Sequence, residues 1–163
     1  MDTTINLGDV QTGGVTKAFC GHTEAVDSVS ISPNQTTIAS GSKDGGIHLW
    51  GTWTGECYYV INGHNEAVSS LSFSPTNSQH FISASGDGTI KQWDVDGHQI
   101  QPTYDGNYIT FSQDRTHFVS WKKLRSFATV QNSHSGVAVA ELWAPKGSVT
   151  NADKHSGCHT VMS

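Results

Sequence analysis

The chain has 163 residues, enough for one ordinary domain, and a formal net charge of -5. Only 14 % of the residues are charged and 17 are glycine, a balance that favours short strands and tight turns over helices. The negative charge gives no general electrostatic reason to expect nucleic acid or an anionic membrane as a partner. No apolar run approaches the length of a membrane span, and the N-terminal residues do not have the pattern of a secretory signal.

The three cysteines, Cys20, Cys57 and Cys158, are odd in number and far apart. We interpret Cys20 and Cys57 as small apolar strand residues that are buried in the fold. Such usage is typical of a reducing compartment. The sequence therefore predicts a cytoplasmic or nuclear protein rather than a secreted one.

Two stretches of the chain repeat one another at an offset of 42 residues. Residues 12–33 (TGGVTKAFCGHTEAVDSVSISP) and 54–75 (TGECYYVINGHNEAVSSLSFSP) are identical at 11 of 22 positions. The match resumes, with one extra residue, between 40–50 and 83–93. A self-match of this period indicates a repeat protein, in which each unit buries its apolar faces against its neighbours.

Each repeat contains several short stretches that predict strands. In the first repeat, Val29 and Ile31 alternate with serines, a period of two that places one face on a core and the other toward solvent or a polar layer. Lys43-Asp44-Gly45-Gly46 predicts a tight hairpin, where glycine tolerates positive φ. The remaining strands of this small antiparallel sheet are predicted at 37–42, 47–50 and 57–61.

These spaced features resemble the WD-repeat β-propeller family, in which a Gly-His pair, a Ser, an Asp-Gly hairpin and a Trp recur in each repeat. The resemblance implies an all-β fold built from four-stranded antiparallel blades. The propeller is expected to be incomplete, with about three blades plus one strand. The matching residues are Gly21-His22, Ser40, Asp44-Gly45 and Trp50-Gly51 in the first repeat, and Gly63-His64, Ser83, Asp87-Gly88 and Trp93-Asp94 in the second.

The resemblance also implies that the recurring polar residues are structural. In this family the Trp indole N–H donates to the Ser hydroxyl, the Ser donates to one His nitrogen, and the other His nitrogen donates to the Asp, so that each buried polar group has a partner. Gly51 departs from the Asp that often follows the Trp. The implied tetrads are His22, Ser40, Asp44 and Trp50, and His64, Ser83, Asp87 and Trp93.

A third repeat is present in degraded form. Ile109 aligns with Leu71, and Phe118-Val119-Ser120 aligns with Phe81-Ile82-Ser83. Third and fourth strands are predicted at 127–132 and 137–142. On this alignment the tetrad positions are lost: Gln101-Pro102 stands for Gly63-His64, Leu124 for Asp87, and Val130 for Trp93.

The predicted organisation is an N-terminal extension (1–11), a partial propeller (12–143) with repeats at about 20–61, 62–104 and 105–143, and a polar, disordered tail (144–163). Residues 15–19 resemble the last strand of a blade whose beginning is missing. Three blades do not close a ring, since propellers have about four to eight. The chain is then a fragment of a longer propeller, one half of a six-bladed dimer, or an incomplete product without a stable fold.

The sequence gives less support to catalytic, metal-binding or nucleic-acid-binding roles for its histidines, aspartates, cysteines and basic residues. His22, His64, Asp44 and Asp87 occur once per repeat beside glycine, which favours a structural role over acid–base catalysis, and no nucleophile elbow is present. His155, Cys158 and His159 are metal-ligand types, but a structural zinc site needs four ligands in geometry, so we expect a solvated tail without metal. The basic residues Lys122, Lys123 and Arg125 are expected to form a solvated loop rather than a nucleic-acid site.

The sequence therefore predicts a non-enzymatic scaffold that binds protein partners and needs no cofactor. The alternatives are a partial fragment without function of its own, or a metal-binding or enzymatic role. In the family, partners bind mostly on the face with the Gly-His lead-ins and the hairpins between second and third strands. Matching loop positions on this chain are Glu24, Asp27, Lys43, Glu66 and Ser69, and the three acidic residues among them favour a basic peptide.

Overall fold

The computed structural model describes residues 2–100, 103–112, 116–122, 127–133 and 135–143, together with the backbone of 151–155 and 158–162. All regular structure in these ranges is β. The first two strands, β1 (Thr4–Gly8) and β2 (Val15–Cys20), form a two-stranded antiparallel sheet that we call the half blade.

Three four-stranded antiparallel sheets follow, each with its strands in chain order from the inside outward, and they confirm the predicted all-β fold class. The first blade contains β3 (Val26–Ile31), β4 (Thr37–Ser42), β5 (Ile47–Gly51) and β6 (Cys57–Ile61). The second blade contains β7 (Val68–Phe73), β8 (His80–Ser85), β9 (Thr89–Asp94) and β10 (Tyr104–Asp105). The third blade contains β11 (Tyr108–Phe111), β12 (His117–Trp121), β13 (Phe127–Asn132) and β14 (Ala138–Trp143).

The half blade differs from the single strand predicted at this position. β1 lies within the predicted N-terminal extension and pairs with β2 along its length, from Thr4 opposite Cys20 to Gly8 opposite Val15. At the repeat offset of 42 residues, Ile5 and Leu7 match Ile47 and Leu49 of β5. β1 is therefore the third strand of its blade. The match is hard to see in sequence because Gly8 stands at the position of Trp50.

The blades stack face to face, and the core is divided among their junctions. Phe19, Ile38 and Trp50 pack between the half blade and the first blade. The junction of the first and second blades is centred on Ile47, Leu49, Phe73 and Phe81, and that of the second and third on Ile82, Ile90, Ile109 and Phe118. Complete burial of such a side chain stabilises a fold by about 1.5–3 kcal/mol, so the stacking, not any single sheet, makes the core.

The innermost strands are joined by a ladder of serine hydrogen bonds. Leu71 N–H donates to Ser28 Oγ at 2.9 Å and Phe73 N–H donates to Ser30 Oγ at 3.1 Å, which connects β3 to β7. Ser70 Oγ donates to the Ile109 carbonyl at 3.3 Å, which connects β7 to β11. The serines satisfy backbone groups of the neighbouring blade that no strand pairs with.

This ladder corrects which face of β3 is covered. The predicted alternation is present, but the serines face the second blade, whereas Val29 and Ile31 are 44 % and 47 % exposed. Their counterparts in β7, Leu71 and Phe73, are buried against the first blade. The preceding half blade has only its two outer strands, so nothing among the described residues covers Val29 and Ile31 in the same way.

Two further features differ from the sequence prediction. Cys20 and Cys57 are exposed rather than buried, because β2 and β6 are outer strands. Within the range predicted as a disordered tail, β15 (Asn151–His155) and β16 (Cys158–Met162) form a two-stranded antiparallel sheet, and residues 144–150 lie outside the described part. The described residues include no helical segment with the length and hydropathy of a membrane span.

Candidate functional site

The first blade contains a complete hydrogen-bonded tetrad. Trp50 Nε1–H donates to Ser40 Oγ at 2.8 Å, and Ser40 is paired with His22 Nε2 at 2.8 Å. His22 Nδ1 is 3.0 Å from Asp44 Oδ2. The tetrad connects the loop before β3 to strands β4 and β5 and to their hairpin, and His22, Ser40 and Trp50 are all buried.

The second blade repeats this geometry. Trp93 Nε1–H donates to Ser83 Oγ at 2.8 Å, Ser83 pairs with His64 Nε2 at 2.8 Å, and His64 Nδ1 is 3.2 Å from Asp87 Oδ2. The hydrogen-bond distances of the two tetrads agree closely. Equal spacing of these residues in the two repeats therefore produces the same tetrad geometry. Ser83 is completely buried, and its hydroxyl accepts from Trp93 within the packed blade.

The tetrad aspartates, Asp44 and Asp87, fix the conformation of the hairpins in which they lie by accepting backbone hydrogen bonds. Asp44 Oδ2 accepts from the Thr23 N–H at 3.0 Å, and Oδ1 accepts from the Gly46 N–H at 2.8 Å. Burial raises the pKa of Asp44, but these hydrogen bonds and that from His22 outweigh it and lower the pKa to about 2. Asp87 has the same environment, and although burial opposes it, hydrogen bonds from Thr89 and Asn65 hold its pKa well below the usual range.

His48 is a feature that the sequence reasoning missed. Its ring stacks on that of His22, with centroids 3.8 Å apart, and its buried Nδ1 has no partner among the described residues. Burial, and then the charge of His22, lower the pKa of His48. The second blade has Lys91 at this position, where its ammonium donates to the Gly63 carbonyl. The repeat alignment pairs His48 with Lys91, so the difference between the blades was visible in sequence.

The third blade retains half of a tetrad, which corrects the alignment by one residue. Phe118 stands opposite Gln131, as Phe81 stands opposite Trp93, so Gln131 and not Val130 occupies the tryptophan position. Gln131 Nε2–H donates to Ser120 Oγ at 3.1 Å, in place of the indole N–H. Ser120 and Gln131 are both buried.

The third blade has lost the loop that carries the histidine. Tyr104 pairs with Ile90, as Ile61 pairs with Ile47 in the first blade. Residues 62–67, with Gly63-His64, then lead into β7, whereas only Gly106 and Asn107 separate β10 from β11. Gln101 and Pro102 lie outside the described residues but precede β10. The histidine position is therefore deleted, not substituted.

The predicted partner-contact residues lie along one edge of the blades, which we call the hairpin face: the loops before β3 and β7, the first residues of these two strands, and the β4–β5 and β8–β9 hairpins. Glu24, Asp27, Lys43 and Glu66 are exposed. Ser69 is half-buried and its hydroxyl donates to the carbonyls of Ala84 and Asn107, so it belongs to the junction of the second and third blades.

The other candidate residues of the sequence are the basic cluster and the His and Cys residues near the C-terminus. Lys122 is paired with Asp105, while Lys123, Leu124 and Arg125 lie outside the described residues. The backbone places His155 opposite Cys158, next to the pair Lys154 and His159, and the structure describes no side chains there. Among the described residues no cluster of three or more His, Cys, Asp or Glu side chains could hold a metal ion.

Comparison with known proteins agrees with this geometry. The family model "WD domain, G-beta repeat" matches residues 13–51, from the turn before β2 to the end of β5, and residues 55–94, from the turn before β6 to the end of β9. The chain therefore belongs to the WD-repeat family, and its sheets are blades of the β-propeller type.

Three relatives illustrate the range of similar proteins. COMPASS component SWD3 of Saccharomyces cerevisiae is 31 % identical over 120 residues, 65 % of this chain and 38 % of that protein. Periodic tryptophan protein 2 homolog of Dictyostelium discoideum is 34 % identical over 76 residues, 46 % of this chain and 8 % of that protein. Eukaryotic translation initiation factor 3 subunit I of Emericella nidulans is 43 % identical over 42 residues, 26 % of this chain and 12 % of that protein. The chain thus matches well under half of the length of these relatives.

Proposed function

We propose that the chain is a non-enzymatic interaction module that binds protein partners on the hairpin face. The tetrads support this proposal, because they use the recurring His, Ser and Asp groups internally and leave none of them available as an acid, base or nucleophile. Two of the relatives are named as a component or a subunit of a larger assembly. The same proposal places this module inside the cell, in the cytoplasm or nucleus.

The partner that fits the hairpin face best is a basic peptide segment. The single observation that carries this is the set of exposed carboxylates, Glu24 and Glu66 on the loops before β3 and β7 and Asp27 near the start of β3. Lys43 is the cation among them. Complementary charge raises the rate of encounter and fixes the register of a bound segment more than it raises affinity. Binding should therefore weaken as ionic strength rises.

The test compares two charge-reversed variants with peptides of matched length. Glu24→Lys with Glu66→Lys removes the acidic pair, and Glu56→Lys, in the β5–β6 turn at the other end of the blade, is the matched control. Binding of fluorescent lysine- and arginine-rich peptides is measured by anisotropy at low and high salt. We expect the double variant to lose at least about tenfold in affinity and the control to bind normally. Equal binding by all three proteins would contradict the proposal.

Ring closure by self-association is part of the same proposal. Two copies would bring six blades and two half blades, within the range of about four to eight blades that propellers have, and the alternative is that the chain works as part of a longer propeller. In both cases the partially covered β3 face, with Val29 and Ile31, contacts another blade.

A further inference from the structure

The face of the third blade that points away from the second blade, which we call the end face, is buried. On β12, Val119 and Trp121 are 6 % and 7 % exposed, and on β13, Ala128 and Val130 are 0 % and 5 % exposed. The partly buried hydrophobic residues packed against this cluster belong to the same blade. By contrast, Val29, on the uncovered inner part of the first blade, is 44 % exposed. A further segment therefore covers the end face.

The repeat shows which kind of segment covers such a face. When β12 is aligned with β8, Val119 and Trp121 stand at the positions of Ile82 and Ala84. Ile82 and Ala84 are buried against the first two strands of the following blade, β11 and β12. The end face is thus covered as if the first two strands of a fourth blade lay on it.

The cover reaches the inner strands of the end face but not its outer strand. Ala140 of β14 pairs with Val130 on the same face and is exposed. At the opposite end of the stack the pattern is reversed, because the half blade covers Trp50 of β5 and leaves Val29 and Ile31 of the inner strand β3 about half exposed. One end of the stack lacks the outer half of a neighbouring blade, and the other end lacks the inner half.

The hairpin of β15 and β16 has the right place in the chain to be that inner half. It follows the fourth strand of the third blade, and its strands are antiparallel. Seven residues (144–150) separate β14 from β15, much as six residues (62–67) separate β6 from β7, where the second blade begins. The half blade contains a third and a fourth strand, and among the described residues the inner edge of β1 has no neighbouring strand.

We propose that the β15–β16 hairpin lies on the end face of its own chain and that β16 pairs with β1 of a second copy. The order β15-β16-β1-β2 then repeats the strand order of the other blades, and the open edge of β1 gains a partner. Two such seams join two copies into a ring of six complete and two composite blades, within the size range of propellers.

In this ring β15 is the inner strand next to β3, and it covers Val29 and Ile31. The inference rests on the self-association proposed above and adds the strands that form the contact. It does not depend on the acidic residues of the hairpin face.

The first test is cross-linking of the full chain in mixed dimers. Equal amounts of ¹⁴N- and ¹⁵N-labelled protein are mixed, allowed to exchange partners and treated with disuccinimidyl suberate, and the linked peptides are identified by mass spectrometry. Neighbouring strands are about 4.8 Å apart, so β15 and β2 are about 14 Å apart in the composite blade. We expect Lys154 of β15 to be linked to Lys17 of β2, with one peptide of each label. A link found only between peptides of the same label would overturn the proposal.

The second test is a substitution in β16, away from the three complete blades. Thr160→Pro removes a backbone N–H that a paired strand uses, whereas Thr160→Val keeps the N–H and the preference for a strand and is the matched control. We expect Thr160→Pro to raise the dissociation constant of the dimer at least about tenfold in sedimentation velocity, and Thr160→Val to behave like the wild type. The indole N–H signals of Trp50 and Trp93 should stay unchanged in both variants, which verifies that the tetrads are intact.

The outcomes separate this inference from the proposal on which it rests. A dimer that gives no link between the two labels, or that Thr160→Pro leaves unaffected, would overturn the composite blade but not self-association. Absence of a dimer at every concentration would contradict self-association itself. Binding of basic peptides to the hairpin face is measured separately and is unaffected by either result.

Discussion

At the scale of single residues, each tetrad couples four separate parts of a blade through one buried chain of hydrogen bonds. Ser40 is the central member, since it bonds both Trp50 and His22. Loss of one partner from such a chain leaves a buried group unsatisfied, which costs more than the hydrogen bond itself contributes. The contribution of the tetrad to the free energy of unfolding can therefore be tested by a substitution that removes one donor but keeps an aromatic ring in the core.

We expect Trp50→Phe to lower the free energy of unfolding by about 1–3 kcal/mol, because the indole N–H to Ser40 is lost within a buried site. The measurement is urea unfolding followed by circular dichroism. Trp53→Phe is the matched control, since Trp53 is 81 % exposed, and its effect should stay within about 0.5 kcal/mol. Equal effects of the two substitutions would show that the tetrad contributes no stability.

The two histidines with lowered pKa make stability depend on pH. Burial lowers the pKa of His48 and of His64, so the unfolded state binds more protons near and below the ordinary pKa of 6.5. Their stabilisation is complete above that pH and is lost as the pH falls through the folded-state pKa. As the pH falls below about 6.5, we expect a decline of up to about 1.4 kcal/mol per pH unit and per proton.

Substitution identifies the groups responsible. His48→Gln should reduce the decline below about pH 6.5 without abolishing it, since His64 still titrates. A second, more acidic loss follows from Asp44, whose pKa is lowered to about 2; its contribution is present above the ordinary value of 3.8 and disappears as the pH falls toward 2. That acidic loss should be unchanged in His48→Gln. A decline that begins below about pH 6.5 and is unchanged in His48→Gln would exclude His48 as its source.

At the scale of strands, neighbouring blades are joined by side-chain-to-backbone hydrogen bonds rather than by strand pairing. Ser28 and Ser30 of β3 accept from the N–H groups of Leu71 and Phe73 of β7. These bonds lie between blades, so they should affect the stacking of sheets more than the formation of either sheet. The half blade is joined differently, since it packs on the first blade through Phe19 and its Asp2 carbonyl, just before β1, accepts from the Val26 N–H of β3.

We expect Ser28→Ala with Ser30→Ala to destabilise the stack by about 1–3 kcal/mol per unsatisfied N–H group. Amide hydrogen exchange should speed up at Leu71 and Phe73, the two groups that lose their acceptors. Ser72→Ala is the control, because among the described residues the Ser72 hydroxyl bonds the carbonyl of the adjacent residue and no group of another blade. Unchanged exchange at Leu71 and Phe73 would contradict the role of the ladder.

At the scale of the whole molecule, the stack presents apolar side chains at both ends. Val29 and Ile31 of β3 are about half exposed, and at the other end Val137, Val139 and Trp143 are 61 %, 54 % and 65 % exposed. Exposed apolar groups in a cluster favour association. In a stack of blades, further blades are the natural cover for such faces.

We expect the purified chain to form a discrete dimer, with twice the mass of the 17.5 kDa chain, in light scattering after gel filtration. The dimer should melt cooperatively. Val29→Asp with Ile31→Asp should dissociate it, whereas Val10→Asp, on the fully exposed β1–β2 turn, should not. A stable monomer with a cooperative melt would contradict ring closure by self-association, and a polydisperse sample would favour the longer-propeller alternative.

The sequence by itself determined what repeats. The 42-residue spacing, the Asp-Gly hairpins and the recurring His, Ser, Asp and Trp predicted the all-β blades and led to both tetrads, because these features depend on local strand and turn geometry that identical spacing reproduces. Tertiary structure decided what does not repeat. That Gln131 takes the tryptophan position follows from strand register, since a one-residue slip moves a side chain to the other face. Which face of β3 is covered depends on which strands the neighbouring blade supplies, and no pattern within a single repeat contains that information.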